Sequence, residues 1–240
     1  KIHESFKDSV FLEGDDKPVV FITHMEHHSN QTTWLETLAD VVIIPPTEDG
    51  LVCPNNLDKV IQKYASRKLK IASITAASNV TGIRTPYHEV AKVIHKHGGF
   101  CFVDFACSAP YVDIDMHPED PEAYLDAIMF SPHKFLGGPG TSGILVFNEE
   151  LYKNTIPDNP GGGTVEWTNP WGQHQYVANI EAREDGGTPS FLQTIKVAMC
   201  INLKEEMGVE NILKREEEQL DIIWEGLTDV PGLNILAAEH

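Results

Sequence analysis

Lys134 follows Ser131, Pro132 and His133 at the point where an apolar run, LDAIMF, breaks off. A glycine-rich turn and a second apolar run, GILVF, come next. A lysine at the mouth of a buried strand, beside a hydroxyl and an imidazole, suits covalent amine chemistry. Out of water it gives up its proton more readily and can then attack a carbonyl. The plain alternative is a solvated lysine opening a loop, since most lysines are exposed. Other groups brought to the same place must decide between the two.

The elements that would carry such a site follow from periodicity. Short β-branched runs predict strands at 18–28 (PVVFITHMEHH), 40–46 (DVVIIPP), 70–79, 99–106, 125–131 and 143–148. Between them lie helical patterns. One is expected from a cap at Ser29 through Leu38, and one from a cap at Asn55 or Asn56 through NLDKVIQKYASRK. A third is PYHEVAKVIHKHG, with Pro86 in its first turn and Gly98 as its stop. Strands alternating with helices predict an α/β fold, three-layer α/β/α, with a mainly parallel sheet covered on both faces. The link from the fifth run to the sixth is too short for a parallel crossover, so the last strand is expected to be antiparallel.

Beyond Glu149 the pattern changes. A short helix, EELYKN, leads into a Gly- and Trp-rich segment, 157–189, expected to be irregular and to serve function or an interface. Trp167 and Trp171 in it are expected to pack or to line a contact. Two long helices follow, 190–208 and 209–227, and LNIL (233–236) reads as the opening of a further strand. Residues 1–11 carry apolar residues at Ile2, Phe6, Val10 and Phe11 without an N-cap, like the tail of an amphipathic helix. The chain is therefore expected to start inside an element.

In open parallel sheets, ligands bind at the carboxyl ends of the strands. Here those ends supply Glu26, His27 and His28 from the first strand, then Ser78 and Asn79 from the third. Asp104 and Cys107 come from the fourth, and Ser131, His133 and Lys134 from the fifth. An imidazole, an amide, a carboxylate and a lysine thus converge from four strands. Pyridoxal 5'-phosphate needs such a set: a lysine for its aldehyde, an acid to keep its ring nitrogen protonated, a stacking ring, and donors for its phenolate and phosphate oxygens. Lys134 would form the Schiff base and Asp104 would pair with the ring nitrogen. His27 would lie over the ring, Asn79 would donate to the phenolate, and Ser131 and His133 would hold the phosphate. For Asp104 alone, a helix N-cap is the structural alternative.

FVDFA around Asp104, with MEHHSN, SNVTG and FSPHK in this order and spacing, resembles the class V aminotransferase family. That is the fold type I group of pyridoxal-phosphate enzymes containing the cysteine desulfurases and selenocysteine lyases. The resemblance runs from about Lys1 to Leu236. It implies His27 as the stacking residue, Asp104 as the pyridine partner, Lys134 as the Schiff-base lysine, and Ser131 and His133 as phosphate contacts. EDGGTP resembles the family loop whose threonine, here Thr188, reaches the phosphate of the neighbouring subunit, which implies a homodimer with shared active sites. It also implies a division into 1–154, the core of the cofactor-binding large domain; 155–230, the active-site or interface segment and long helices completing it; and 231–240, the start of a C-terminal small domain.

Two positions depart from the family. Cys107 stands where desulfurases usually carry a glutamine bonded to the cofactor's phenolate, and a thiol is a weak donor. Pro132 stands where they commonly have glycine, which stiffens the turn. The family's upstream Gly-Thr-rich phosphate loop and its C-terminal small domain are not in the sequence, so it reads as truncated at both ends, and these 240 residues are not expected to turn over substrate normally.

The expected chemistry acts on an amino acid, foremost Cβ–S or Cβ–Se cleavage of cysteine or selenocysteine, with a sulfur-acceptor protein as a further partner. Transamination or another β-elimination shares the first steps and stays open. A domain that keeps the fold as a non-catalytic scaffold is the reading from another class. Zinc-hydrolase spacing is lacking around His24, His27 and His28, and on an extended strand end His27 and His28 should face opposite ways. No metal is expected. In GGPGTSG the lysine precedes the glycines, which sets aside a nucleotide loop.

The totals limit the remaining classes. A net charge of −18 repels phosphate backbones and argues against nucleic acid. With 41% hydrophobic and 22% charged residues the composition is globular, and no apolar run is long enough for a membrane helix. Four cysteines without C-x-x-C pairing are expected to be reduced thiols in a cytoplasmic protein.

Overall fold

Val19 and Phe21 are buried in one apolar cluster, and Val20 and Ile22 in another. That is the period-two alternation of a strand covered on both faces. The computed structural model describes residues 12–235, so the helix tail expected at 1–11 lies outside the described residues. The strand is β1 (Val19–Ile22). After it come α1 (His28–Leu35), β2 (Asp40–Ile43), α2 (Pro54–Ile61), β3 (Lys70–Thr75), α3 (Tyr87–Lys96), β4 (Phe100–Asp104), β5 (Ala127–Phe130) and β6 (Ile144–Phe147).

The sheet order is β2-β1-β3-β4-β5-β6. Every pair is parallel except β5 with β6, which run antiparallel as the short link between them requires. β2 and β3 flank β1, so the chain reverses its direction of travel across the sheet there. Right-handed crossovers then place α1 on one face and α2 with α3 on the other. Trp34 of α1 packs on Val20, Ile22 and Ile71, with its ring 6.2 Å from Phe102. On the other face Leu57 and Ile61 of α2 and Val90, Ala91 and Ile94 of α3 bury against β3 and β4. Each of these leucine, isoleucine and valine side chains contributes about 1.5–3 kcal/mol when fully buried.

Several local expectations need correction. α1 is capped by His27, whose Nδ1 accepts from the Ser29 N–H, so the helix begins before Ser29. α2 starts at Pro54 with Cys53 as its N-cap; Asn56 instead donates to the Pro45 and Pro46 carbonyls and ties down the loop after β2. Pro86 takes the N-cap position of α3. EELYKN forms only a 3-10 turn, Glu149–Leu151, capped by Asn148.

The segment 157–189 is not structureless. It holds a hairpin, β7 (Val165–Thr168) with β8 (His174–Tyr176), and a short helix, α4 (Ile180–Glu184). Asn169-Pro170-Trp171-Gly172 closes the hairpin, with the Gly172 N–H bonded to the Asn169 carbonyl at 3.3 Å. Asn first, Pro second and Gly fourth is a β-turn signature that the irregular reading passed over. α5 (Phe191–Met207) buries Val197 and Cys200, the latter in the same cluster as Phe135. α6 (Val209–Thr228) follows after Gly208. Residues 233–235 form no strand, and the last residue of LNIL lies outside the described residues. Among the described residues no helix is long and apolar enough to cross a membrane.

Candidate active site

Asp104 ends β4, and its side chain continues the row of Phe102, on the α1 side of the sheet. It is buried, and its Oδ1 accepts from the Ala106 N–H at 2.8 Å. The turn so formed accounts for the capping alternative with one oxygen only; among the described residues no donor is bonded to Oδ2. On β3, Thr75 stands opposite Asp104 in the parallel register, and the Ala76 N–H donates to the Asp104 carbonyl at 2.8 Å.

After β3 the chain turns back on itself. Ser78, buried, takes the Val80 and Thr81 N–H groups on its hydroxyl, and its carbonyl accepts from Gly82. This knot holds Asn79 at the tip, exposed. The Cys107 sulfur lies 3.8 Å from the Ser78 carbonyl. All four cysteines are free thiols.

Beyond β5, Pro132–Lys134 form one 3-10 turn with Ser131 extended before it. The Lys134 N–H returns to the Ser131 carbonyl at 3.0 Å and the Phe135 N–H to the Pro132 carbonyl at 2.9 Å. Pro132 and Phe135 are buried and anchor the turn, while His133 and Lys134 are exposed. The desolvated lysine expected from the sequence is therefore not supplied by this chain's own packing. The amine of Lys134 has no hydrogen-bond or ion-pair partner among the described residues, and the same holds for the side chains of His133, Ser131 and Asn79.

His27 stands at the other side. With Nδ1 accepting from the Ser29 N–H at 3.2 Å, and 2.8 Å from the Ser29 hydroxyl, its ring proton belongs on Nε2. β1 already ends at Ile22, so the turn that follows brings the His27 and His28 rings side by side, centroids 5.5 Å apart. They do not face opposite ways as an extended strand would require.

One cavity of about 640 Å³ joins these groups. His27, Asn79, Asp104, Cys107, Ser131, His133 and Lys134 all line it. Thr188 is exposed and does not. Asn30, Thr75 and Trp34 also line it and were not anticipated. Asn30 and Trp34 sit four residues apart on α1, one turn of a helix whose polar and apolar residues do not segregate cleanly, so periodicity gave no signal. A second cavity, about 630 Å³, lies between α2, α3 and the loop before β5. Its lysines are already committed, Lys92 to Glu89 and Asp120 and Lys96 to Asp58, which leaves no unpaired lysine for chemistry there among the described residues.

Comparison with known proteins points the same way. The family model described as aminotransferase class-V matches residues 4–240. A probable cysteine desulfurase of Halalkalibacterium halodurans is 30% identical over 227 residues, covering 93% of this chain and 52% of the relative. One of Staphylococcus epidermidis is 31% identical over 238 residues, covering 98% and 54%. The chain thus spans about half the length of the curated relatives it matches. Among solved structures, the cysteine desulfurase CsdA of Escherichia coli superposes with a TM-score of 0.78 at 22% identity, over 91% of this chain and 53% of that one. The cysteine desulfurase of Thermococcus onnurineus NA1 gives 0.75 at 24%, over 92% and 59%. At such identities the structures speak for the fold, a mostly parallel α/β sheet, while the family model spans every strand end that lines the cavity. The chain belongs to the aminotransferase class-V family.

Proposed function

We propose that this chain is the cofactor-binding part of a pyridoxal-phosphate enzyme acting on an amino acid, and that the reaction is Cβ–S or Cβ–Se cleavage of cysteine or selenocysteine. One observation carries it: four strand ends deliver a lysine, a buried carboxylate, an imidazole and an amide to a single cavity. The donor set fits the group. Among the described residues Lys134 offers an uncommitted amine, Asp104 keeps one carboxylate oxygen free, and His27 is fixed in place by Ser29.

Pyridoxal phosphate, when bound, supplies an aldehyde that condenses with amines and a ring that takes up the electron pair left at Cα. Asp104 would hold the proton on the ring nitrogen and so keep that ring electron-poor. His27 would cover one ring face. Asn79 would donate to the phenolate oxygen, and Ser131 with His133 would hold the phosphate. Lys134 would hold the aldehyde carbon, and its free amine would serve as general base toward the Cα proton of the substrate. Its exposure in this chain means that water must be excluded by the ring itself and by whatever closes the cavity.

Thr188 we assign to the phosphate of a neighbouring subunit in a homodimer. Its exposure away from the cavity supports this, as do the exposed Phe191, Leu192, Ile195 and Met199 close by on α5. A sulfur-acceptor protein would take the product. Cys107 favours a second reading, an aminotransferase or another β-eliminating lyase, because a thiol is a weak donor to the phenolate.

Titration of the purified protein with pyridoxal phosphate tests the proposal. An absorbance band at about 400 nm is expected, lost on borohydride treatment or in Lys134→Ala. A wild-type protein that gains no such band would refute it; a band without release of sulfide or selenide from cysteine or selenocysteine would move the assignment to the second reading.

A further inference from the structure

Glu26 is used by no step above, yet it is among the most heavily bonded side chains next to the cavity. Its Oε1 accepts from the Thr23 hydroxyl at 2.6 Å, the Thr23 N–H at 3.2 Å and the Thr75 N–H at 3.0 Å. Its Oε2 accepts from Asn30 Nδ2 at 2.7 Å. Among the described residues no cation pairs with it. Burial pushes the carboxyl above its ordinary range, while these four hydrogen bonds pull the other way.

The three partners come from three places. Thr23 directly follows β1. Asn30 lies on α1, buried, and is itself saturated: Nδ2 also donates to the Ser73 carbonyl at 3.2 Å, and Oδ1 accepts from the Ser73 hydroxyl at 2.7 Å and Trp34 Nε1 at 3.3 Å. Thr75 is on β3, directly opposite Asp104. The residue after Glu26 is His27. β1 and β3 are hydrogen-bonded neighbours only through Phe21 and Ala72, so beyond them Glu26 replaces the ladder where the strands part. The parting is the switch point of the sheet, where a crevice opens for ligand.

We infer that Glu26 is a positioning residue: its carboxylate bridges the turn carrying His27 to the Thr75–Asp104 pair and thereby sets the separation between the stacking imidazole and the pyridine partner. This rests on the pyridoxal-phosphate reading of the cavity. A neutral side chain cannot do the same work. In Glu26→Gln one oxygen becomes an NH2 group facing the Asn30 NH2, and two donors then oppose each other. In Glu26→Asp the side chain is one methylene too short to span Thr23 and Thr75 together.

The experiment compares wild type, E26Q and the double variant E26Q/N30D, in which a carboxylate on α1 again accepts what the new amide donates, although the bond from Asn30 to the Ser73 carbonyl is given up. Amide hydrogen exchange without cofactor is read at Thr75, with the Phe105 N–H, bonded to the Met129 carbonyl, as the internal control. Pyridoxal phosphate itself is then titrated and its visible spectrum recorded. E26Q is expected to speed Thr75 exchange about tenfold or more with Phe105 unchanged, and to weaken cofactor affinity about tenfold, with N30D restoring a part of both. Wild-type exchange at Thr75 in E26Q would overturn the bridge, whether or not the cofactor binds. Faster exchange with unchanged affinity and spectrum would reduce Glu26 to a structural bolt and overturn its positioning role. A wild-type protein that binds no pyridoxal phosphate would instead sink the reading of the cavity, and the positioning role with it, while the exchange data would still report on the bridge.

Discussion

Gly138 lies so close to Pro132 that a Cβ on it would stand 1.9 Å from the Pro132 carbonyl oxygen and 2.9 Å from that of Phe135. Both obstacles are backbone, so neither can swing aside. The turn that presents Ser131, His133 and Lys134 therefore depends on a residue without a side chain four positions beyond the lysine. Gly138→Ala is expected to destabilise the fold by more than about 2 kcal/mol and to displace the Lys134 turn. Thermal unfolding together with cofactor titration checks this. Normal values of both would show that the turn can relax at no cost.

Cys107 lines the same cavity as Asn79 and Asp104, and its sulfur sits 3.8 Å from the Ser78 carbonyl. A thiol is a poor donor, and an amide at this position adds a strong one, which on the proposed reading of the cavity would serve the phenolate oxygen. Cys107→Gln is expected to tighten pyridoxal phosphate binding by about threefold to tenfold and to shift its visible band to a new wavelength. Unchanged affinity and spectrum would mean that position 107 does not face the phenolate.

The sequence made the sheet readable because its strands are buried on both faces and punctuated by prolines and glycines. The parallel order and the antiparallel β6 follow from runs such as PVVFI and from the length of the link after Phe130. The strand-end rule then found seven cavity residues. It named Glu26 without a role and did not reach Asn30 or Thr75, because what these three do comes from burial and from pairing across β1, α1 and β3, which no local pattern encodes. Helix starts were misplaced for a related reason. Ser29 and Asn56 are good capping types, yet a histidine ring and a proline at the first helical position took over at the two ends. Lys134 was expected to be desolvated because the strand before it is apolar, but the chain turns outward at Pro132.

Asn169 holds the β7–β8 turn almost alone. Its Oδ1 accepts from the Trp171 and Gln173 N–H groups, both at 3.0 Å, and its Nδ2 donates to Gln173 Oε1 at 2.8 Å. Trp171, at the tip, is 83% exposed and contributes little to folding. Asn169→Ala is expected to cost about 1 kcal/mol, whereas Trp171→Ser should stay within about 0.5 kcal/mol of wild type. Denaturant unfolding of the two variants separates the cases. A large loss for Trp171→Ser would indicate that the indole is covered in the protein in solution.

His95 closes the far end of α3 onto the loop before β5. Its Nε2 lies 2.9 Å from Asp126 Oδ2 and its Nδ1 2.8 Å from the Glu122 carbonyl, and Tyr124 stacks on the ring at 4.0 Å. Both neighbours are acceptors, so both ring nitrogens must carry protons to satisfy them. Burial lowers the proton affinity of the ring, but the hydrogen bonds to Asp126 and Glu122 outweigh it, and the folded-state pKa is raised above the ordinary 6.5. The sign follows by linkage: the folded protein holds this proton more tightly than the unfolded chain. The clasp therefore contributes fully below about pH 6.5 and is lost as pH rises through the higher folded value. Asp126 also takes the Cys101 N–H at 2.8 Å, so β4 and β5 share the loss. His95→Gln keeps a single donor and cannot titrate. Measured from pH 6 to 9, the wild-type melting temperature should fall toward that of His95→Gln, and parallel curves would show that His95 does not carry the pH dependence.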